Sequence, residues 1–137
     1  MNIFKNCWAD ISTSECIFGA HLFHGSIAKI HIVSGLDVGL ENIDFKLNKD
    51  KYGFIGNCLL IFNGVKKFDL SVSQYDIKGG ENIWCEPIYF NYMVGNIKIG
   101  KNVDDIIKYC LGGGLHGFLA YVAIEIEAEN MELHILD

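Results

Sequence analysis

The sequence predicts a mainly β fold of the α+β class: a curved antiparallel sheet, or a partial barrel or sandwich, with one or two short helices. Two observations lead to this prediction. Apolar and polar residues alternate with a period of two over much of the chain, which is the pattern of half-buried strands. The strands also follow one another without the strand-helix-strand order of parallel sheets, which indicates antiparallel pairing.

The size and composition fit one globular domain, residues 1–137. The chain is 50% hydrophobic and 20% charged, so it is neither disordered nor fibrous in composition. A chain of this length buries a core without needing metal ions or disulfides.

The first half contains the clearest strand signals. The segments 26–33 (SIAKIHIV) and 41–50 (ENIDFKLNKD) alternate between apolar and polar residues, so each is predicted to be a half-buried strand. Two further apolar runs flank Asn63 and Gly64, a pair that favours the type I′ turn of a tight hairpin.

The second half is predicted to contain a loop, aromatic strands and one helix. The polar segment 73–82 (SQYDIKGGEN) indicates a loop, and strands follow over 83–94 (IWCEPIYFNYMV). Asn102 is a suitable cap for a helix over VDDIIKYCL, which Gly112 would end.

The C-terminal segment is predicted to form the last two strands. One covers 117–129 (GFLAYVAIEIEAE) and the other MELHIL, with Met131, Leu133 and Ile135 facing inward. A turn at Glu129 and Asn130 would join them as a hairpin.

The glycine-rich segment GGGLHG (112–117) matches the spacing of a dinucleotide-binding loop. Such a loop follows a strand and opens a helix, so that helix N-terminal amides meet the pyrophosphate. The predicted order here is helix and then strand. We therefore interpret the segment as a flexible connection, and we expect no cofactor.

The cysteines and histidines give no local signature of catalysis or metal binding. The chain has five cysteines, an odd number, and no two of them have CxxC spacing. We therefore expect reduced thiols. A nucleophile pair of Cys110 with His116, or of Cys85 with a histidine, stays open. We expect no metal site and no catalytic residue, and thus a protein that is not an enzyme.

An aromatic band in the second half allows two interpretations. Trp84, Tyr89, Phe90 and Tyr92 fit either core packing or the lining of a ligand cavity inside a curved sheet.

Negative charge is concentrated at the C-terminus. Residues 1–124 carry eleven Lys against twelve acidic residues, whereas 125–137 carry five acidic residues and no Lys, giving a net charge of −6. The chain has no Arg, which argues against a nucleic-acid interface.

On a strand, Glu125, Glu127 and Glu129 point to the same side and repel one another unless cross-strand Lys or salt relieves them. One interpretation is a solvated face that prevents edge pairing with another chain. The other is a docking surface for a basic partner, which such charges attract.

Three segments carry a resemblance to a known class: FHGSIAKIHIV, ENIDFKL and CLLIFNGVKKFDLSV. They resemble the small β-rich immunity proteins of bacterial polymorphic toxin systems, including those of contact-dependent growth inhibition. The resemblance implies a protein that binds one cognate toxin domain, commonly a basic nuclease, and neutralises it without chemistry of its own.

We therefore expect a partner-binding surface that includes the acidic stretch, with a loop of the second half as the next candidate. The expected partner-binding residues are Glu125, Glu127, Glu129, Glu132, Tyr75, Asp76 and Glu81.

The expected setting is cytoplasmic, since the chain has neither a bilayer-length apolar run nor the apolar core of a signal peptide. We expect no membrane partner and no nucleic acid, and a homodimer is compatible with the sequence. Two alternatives stay open: a small-ligand binder that uses the sheet interior, and a Cys/His enzyme.

Overall fold

A computed structural model describes residues 2–93 and 106–136 and confirms the mainly β fold class. Short 3-10 helices cover Trp8–Asp10 and Ile43–Phe45, and within the described residues no helix is long and apolar enough to cross a membrane. The strands in this part of the chain are β1 (Asn2–Lys5), β2 (Ile17–His24), β3 (Ile27–Ser34), β4 (Leu36–Asp37), β5 (Phe54–Ile55), β6 (Cys58–Asn63), β7 (Lys67–Lys78), β8 (Glu81–Trp84), β9 (Ile88–Met93), β10 (Ile107–Leu115), β11 (Ala120–Ala128) and β12 (Asn130–Ile135).

One large sheet contains ten of these strands in the order β1-β12-β6-β3-β2-β10-β11-β7-β8, with β9 also paired to β7. Within the described residues this sheet is open and does not close into a barrel. Its pairs are antiparallel except for β10 with β2, which are parallel. β4 and β5 form a separate two-stranded sheet.

The sheet bends where two long strands change direction together. β6 pairs with β12 as far as Asn63 and Asn130, and β7 then pairs with β11 from Lys67 and Glu127 onward. Hydrogen bonds cross the bend from the Lys66 N–H to the Glu127 carbonyl and from the Glu129 N–H to the Asn63 carbonyl. The two pairs thus form one continuous ribbon whose halves face each other.

The core lies between the two halves. The inward residues of β12, Met131, Leu133 and Ile135, are buried as predicted, and so are Ile124 and Ile126 of β11. Buried residues from both halves belong to one hydrophobic cluster. Burial of such side chains typically contributes about 1.5–3 kcal/mol each and drives the bend closed.

The predicted strand over 41–50 is wrong. Ile43 and Leu47 are 82% and 94% exposed, and only Phe45 of the alternating residues is buried. Phe45 packs on Phe4 with ring centroids 4.6 Å apart. One anchored side chain is therefore enough to fix a short 3-10 helix in place of a strand.

Lys49 holds this loop in shape. Its ammonium donates hydrogen bonds to the backbone carbonyls of Gly39, Leu40 and Asn42 at 2.9, 2.5 and 2.8 Å. A charged donor makes stronger hydrogen bonds than a neutral one, so these contacts compete well with the ladder of a strand.

The predicted helix is wrong over 107–111, which lie in β10; its first residues and its cap, Asn102, lie outside the described residues. Tyr109 and Leu111 are buried while Lys108 and Cys110 face outward. β10 pairs with β11 from Ile107 to Gly114, and this tertiary pairing overrides the helical capping signal.

The loop predicted over 73–82 is also wrong, because β7 continues to Lys78 and β8 starts at Glu81. Gly79 and Gly80 make the turn with φ of +60° and +82°, the φ pattern of a type I′ turn. After a bulge at 85–87, β9 continues along β7, so 67–93 form one long hairpin.

The two predicted hairpin turns are wrong. β6 and β7, on either side of Asn63 and Gly64, do not pair with each other, and neither do β11 and β12 around Glu129 and Asn130. Gly64 has a φ of +65°, but Asn63 does not lie in the left-handed region. Both sites are the corners of the bent ribbon.

The glycines of GGGLHG lie mostly within β10 and not in a flexible connection. A side chain at Gly112 would collide with the Tyr121 hydroxyl, and one at Gly113 with the Cys16 carbonyl. That carbonyl accepts a hydrogen bond from the Gly114 N–H at 3.0 Å. Gly113 therefore permits the close parallel contact of β10 with β2, and Gly112 leaves room for the Tyr121 side chain of β11.

We expect Gly113→Ala to lower the free energy of unfolding by about 1–3 kcal/mol, because the new methyl group overpacks against rigid backbone. Urea unfolding followed by circular dichroism measures the change. Gly56→Ala is the matched control, since nothing lies within 4 Å of a side chain built there. Equal stability of the two variants would contradict the close contact.

Candidate functional site

The acidic stretch lies along the outer face of the ribbon. On β11 the residues Ile124, Ile126 and Ala128 are buried, and Glu125 and Glu127 between them point outward and are partly exposed. The predicted alternation on this strand is therefore observed.

Neighbouring strands supply Lys residues that offset the repulsion. Lys108 of β10 places its Nζ 2.8 Å from Glu125 Oε1, and Lys67 of β7 lies 3.2 Å from Asp69 Oδ2. Glu127 lies between the same two lysines in the strand register. Three carboxylates and two ammonium groups leave this patch with a local charge of −1.

The ion pairs affect the pKa values on both sides. The hydrogen bond from Lys108 lowers the pKa of Glu125, and the same bond raises the pKa of Lys108. The hydrogen bond to Asp69 raises the pKa of Lys67. All these groups are solvent-accessible, so salt screens their interactions.

Glu129 and Glu132 lie at and beyond the bend, where their surroundings differ. The Glu129 side chain lies against Gly64, and a side chain at that glycine would overlap it. Glu132 Oε2 accepts a hydrogen bond from Asn63 Nδ2 at 3.0 Å. These two carboxylates are engaged in the corner of the fold, unlike the outward pair on β11.

A groove of about 390 Å³ lies on the outer face beside Glu125, and we call it the outer groove. The small side chains of Ser71 and Ala123 leave space at the bottom of the groove. Tyr89 and Asn91 of β9 line one of its sides. Asp69 and Glu125 face each other directly across β7 and β11. The full lining is Asp69, Leu70, Ser71, Tyr89, Asn91, Cys110, Leu111, Ala123, Ile124 and Glu125.

Most of these groove residues could not be identified from the sequence. The period of two on β7 already places Asp69 outward, opposite the buried Phe68 and Leu70. Its position opposite Glu125 depends on the pairing of strands more than 50 residues apart, which no local signal indicates.

The other predicted residues, Tyr75, Asp76 and Glu81, lie on the hairpin of β7 and β8. Tyr75 packs on Trp84 with ring centroids 4.8 Å apart. Six residues of extended strand separate Tyr75 from Asp69, a distance of roughly 20 Å. The structure therefore places the two predicted sets in separate regions.

Most of the aromatic band lies outside the core, and none of its four residues lines the cavity between the halves. Trp84, Tyr89, Phe90 and Tyr92 are all more than 40% exposed and lie on β8 and β9 at the side of the sheet. The cavity interpretation is wrong for this band, and core packing is observed only in part, for Tyr92, whose ring contacts Phe23 and the buried Phe68.

The sheet interior offers little room for a ligand. A cavity of about 60 Å³ lies between the halves, lined by apolar side chains such as Phe18, Ile30 and Leu70, with His21 beside them. Sites for small organic ligands commonly enclose roughly 300–1,000 Å³. This cavity does not support the small-ligand alternative.

The cysteines divide into two environments. Cys16 and Cys58 are buried, and burial raises the pKa of each thiol to about 12. Cys85 and Cys110 are exposed. Cys110 and His116 are six residues apart at the two ends of an extended segment, roughly 20 Å by strand geometry, so they do not form a nucleophile pair.

No protein-family model, curated protein or solved structure matches the chain.

We expect two thiols, Cys85 and Cys110, to react rapidly with Ellman's reagent at pH 8, and five to react after denaturation. The buried thiols react slowly because only the thiolate is nucleophilic and burial disfavours it. As a control, Cys110→Ser should reduce the number of rapidly reacting thiols from two to one. A rapid third equivalent would show that a buried thiol is accessible.

Proposed function

We propose that this chain is an immunity protein, which binds and neutralises a basic cognate toxin domain through the outer groove and the acidic residues beside it. The observation on which this rests is the pair Asp69 and Glu125, which face each other at a groove large enough for a long side chain. The resemblance of the strand segments to immunity proteins gives the proposed class of partner.

The groove suits a Lys or Arg side chain of the partner. The Cβ atoms of directly opposite residues lie about 4.5–5.5 Å apart, so the carboxylates of Asp69 and Glu125 can share one cation. An Arg guanidinium would in addition stack on the ring of Tyr89, which forms one wall. Ser71 and Ala123 leave space for its aliphatic part.

A partner cation must compete with Lys67 and Lys108, which already contact the two carboxylates. These exposed pairs are weak, typically about 0–1 kcal/mol, and are readily exchanged. A partner also buries the groove, and its charge-assisted hydrogen bonds are stronger away from water. The exchange therefore favours the bound state.

The negative charge of the chain assists the encounter. Attraction between a chain of net charge −6 and a basic domain raises the association rate, and salt reduces it. Inhibition requires no reaction, because a bound protein covers the toxin surface that its target needs.

The first test is co-purification of the tagged chain with the C-terminal domain encoded by the large gene upstream of its own. We expect one complex on size exclusion, and a partner domain that is toxic when expressed alone. If the two proteins elute separately and the partner is harmless, the immunity proposal is wrong.

The second test removes charge at the groove. We expect Asp69→Asn with Glu125→Gln to weaken partner binding on the order of tenfold, about 1.4 kcal/mol. Isothermal titration calorimetry measures the affinity, and circular dichroism checks that the variant is folded.

The matched control is Asp76→Asn with Glu81→Gln, which removes the same charge from the hairpin of β7 and β8. We expect its affinity to stay within about twofold, because exposed charges away from the contact contribute little. Loss of binding in the control but not in the groove variant would place the interface on the hairpin.

A further inference from the structure

β9 (Ile88–Met93) is an edge strand with an unusual composition. It pairs with β7 on one side, and within the described parts of the chain no strand pairs with its other side. All six residues are exposed, and the exposure of the five apolar and aromatic ones ranges from 42% for Phe90 to 78% for Met93. Within the described residues, the N–H and C=O groups on this side of β9 therefore have no strand partner, and they lie beside apolar side chains.

The usual protections of an edge strand are missing from β9. Edge strands are normally short, charged, interrupted by proline or bulged, which prevents pairing with another chain. β9 has no charged residue, and Pro87 precedes it without interrupting it. At the other end of the sheet, β1 has only four residues and ends in Lys5.

We propose that β9 pairs antiparallel with β9 of a second copy of this chain, so that the two sheets become one. A strand without charges meets its own copy without repulsion at the seam. A basic partner, in contrast, is attracted to the carboxylates of the outer groove and gains no charge contact from this edge.

The side chains of β9 also pair favourably with those of β9 in a second copy. In such a pair, a twofold axis perpendicular to the sheet passes between the two copies of Phe90 or between the two copies of Asn91. This axis leaves the outer faces of both sheets on the same side. Through Phe90 it pairs Tyr89 with Asn91 and Ile88 with Tyr92; through Asn91 it pairs Phe90 with Tyr92. Cross-strand aromatic pairs of this type stabilise sheets.

An aromatic cluster inside the sheet continues up to this edge. The Tyr92 ring lies 5.6 Å from that of Phe23 and 6.1 Å from that of Phe68. A second copy would cover the outer, exposed side of Tyr92 and extend the cluster across the seam.

The dimer would place two outer grooves on the same face, one on each side of the seam. Three strand spacings, roughly 14 Å, would separate the two Asp69 residues. This exceeds the Debye length of about 8 Å at physiological salt, so repulsion between the grooves is weak there but grows at low salt. Salt therefore strengthens the dimer, whereas it weakens the binding of a basic partner.

The test is the mass of the full chain by light scattering and sedimentation over a range of concentrations, at low and at 0.5 M salt. We expect a monomer–dimer equilibrium that shifts toward the dimer with salt. Phe90→Lys should weaken dimerisation at least tenfold, and Ile77→Lys, which changes an exposed apolar residue elsewhere on the hairpin, should leave it unchanged.

Cross-linking tests the register independently of Phe90→Lys. In a background of Cys85→Ser and Cys110→Ser, Phe90→Cys and Asn91→Cys are oxidised separately, because the axis passes through one or the other. We expect one of them to give a disulfide-linked dimer, and Ile77→Cys to give none.

A monomer at all concentrations and salt levels would overturn the proposal, whatever the outcome with the toxin domain. A dimer that neither Phe90→Lys nor the engineered cysteines affect would also overturn it, since another surface would then form the contact. A monomer whose affinity for the toxin domain falls with Phe90→Lys would assign the edge to that partner instead.

Discussion

The bent ribbon of β6–β7 with β11–β12 determines where the rest of the sheet lies. Each half of the ribbon carries its own neighbours: β3 and β1 on one, β9 and β10 on the other. The corner is held by backbone hydrogen bonds and by the side-chain bond from Asn63 to Asn130 at 2.9 Å. Because both strands bend together, the described residues enclose the core with strands and two short 3-10 helices, and the side chains between the buried ones of β7 and β11 point to the outer face.

The same ribbon places the carboxylates of Asp69 and Glu125 beside the outer groove. Period-two strands bury Phe68, Leu70, Ile124 and Ile126, so the residues between them must face solvent. Pairing of β7 with β11 then sets Asp69 against Glu125. Lys67 and Lys108 form ion pairs with these two carboxylates and offset part of the repulsion between them.

The sequence was sufficient for the fold class and for the strands that alternate clearly, such as β3 and β12. It failed where contacts other than the local alternation decide the outcome. β10 has helical capping signals yet pairs along β11, and the loop around Phe45 has strand alternation yet is held by side-chain hydrogen bonds of Lys49. Of the candidate site, the outward direction of Glu125 and Glu127 could be predicted. The groove could not, because its walls come from four strands whose order has no local signal.

The parallel contact of β10 with β2 has a consequence for motion. On one side the halves of the sheet are joined by the whole ribbon, but here they meet through only two register pairs, Gly114 with Ile17 and Leu115 with Phe18. These pairs are few and join segments almost a hundred residues apart, so they should form after the ribbon has brought the two halves together. Local opening should begin at the same seam, and its amide protons should exchange with solvent well before those of the ribbon.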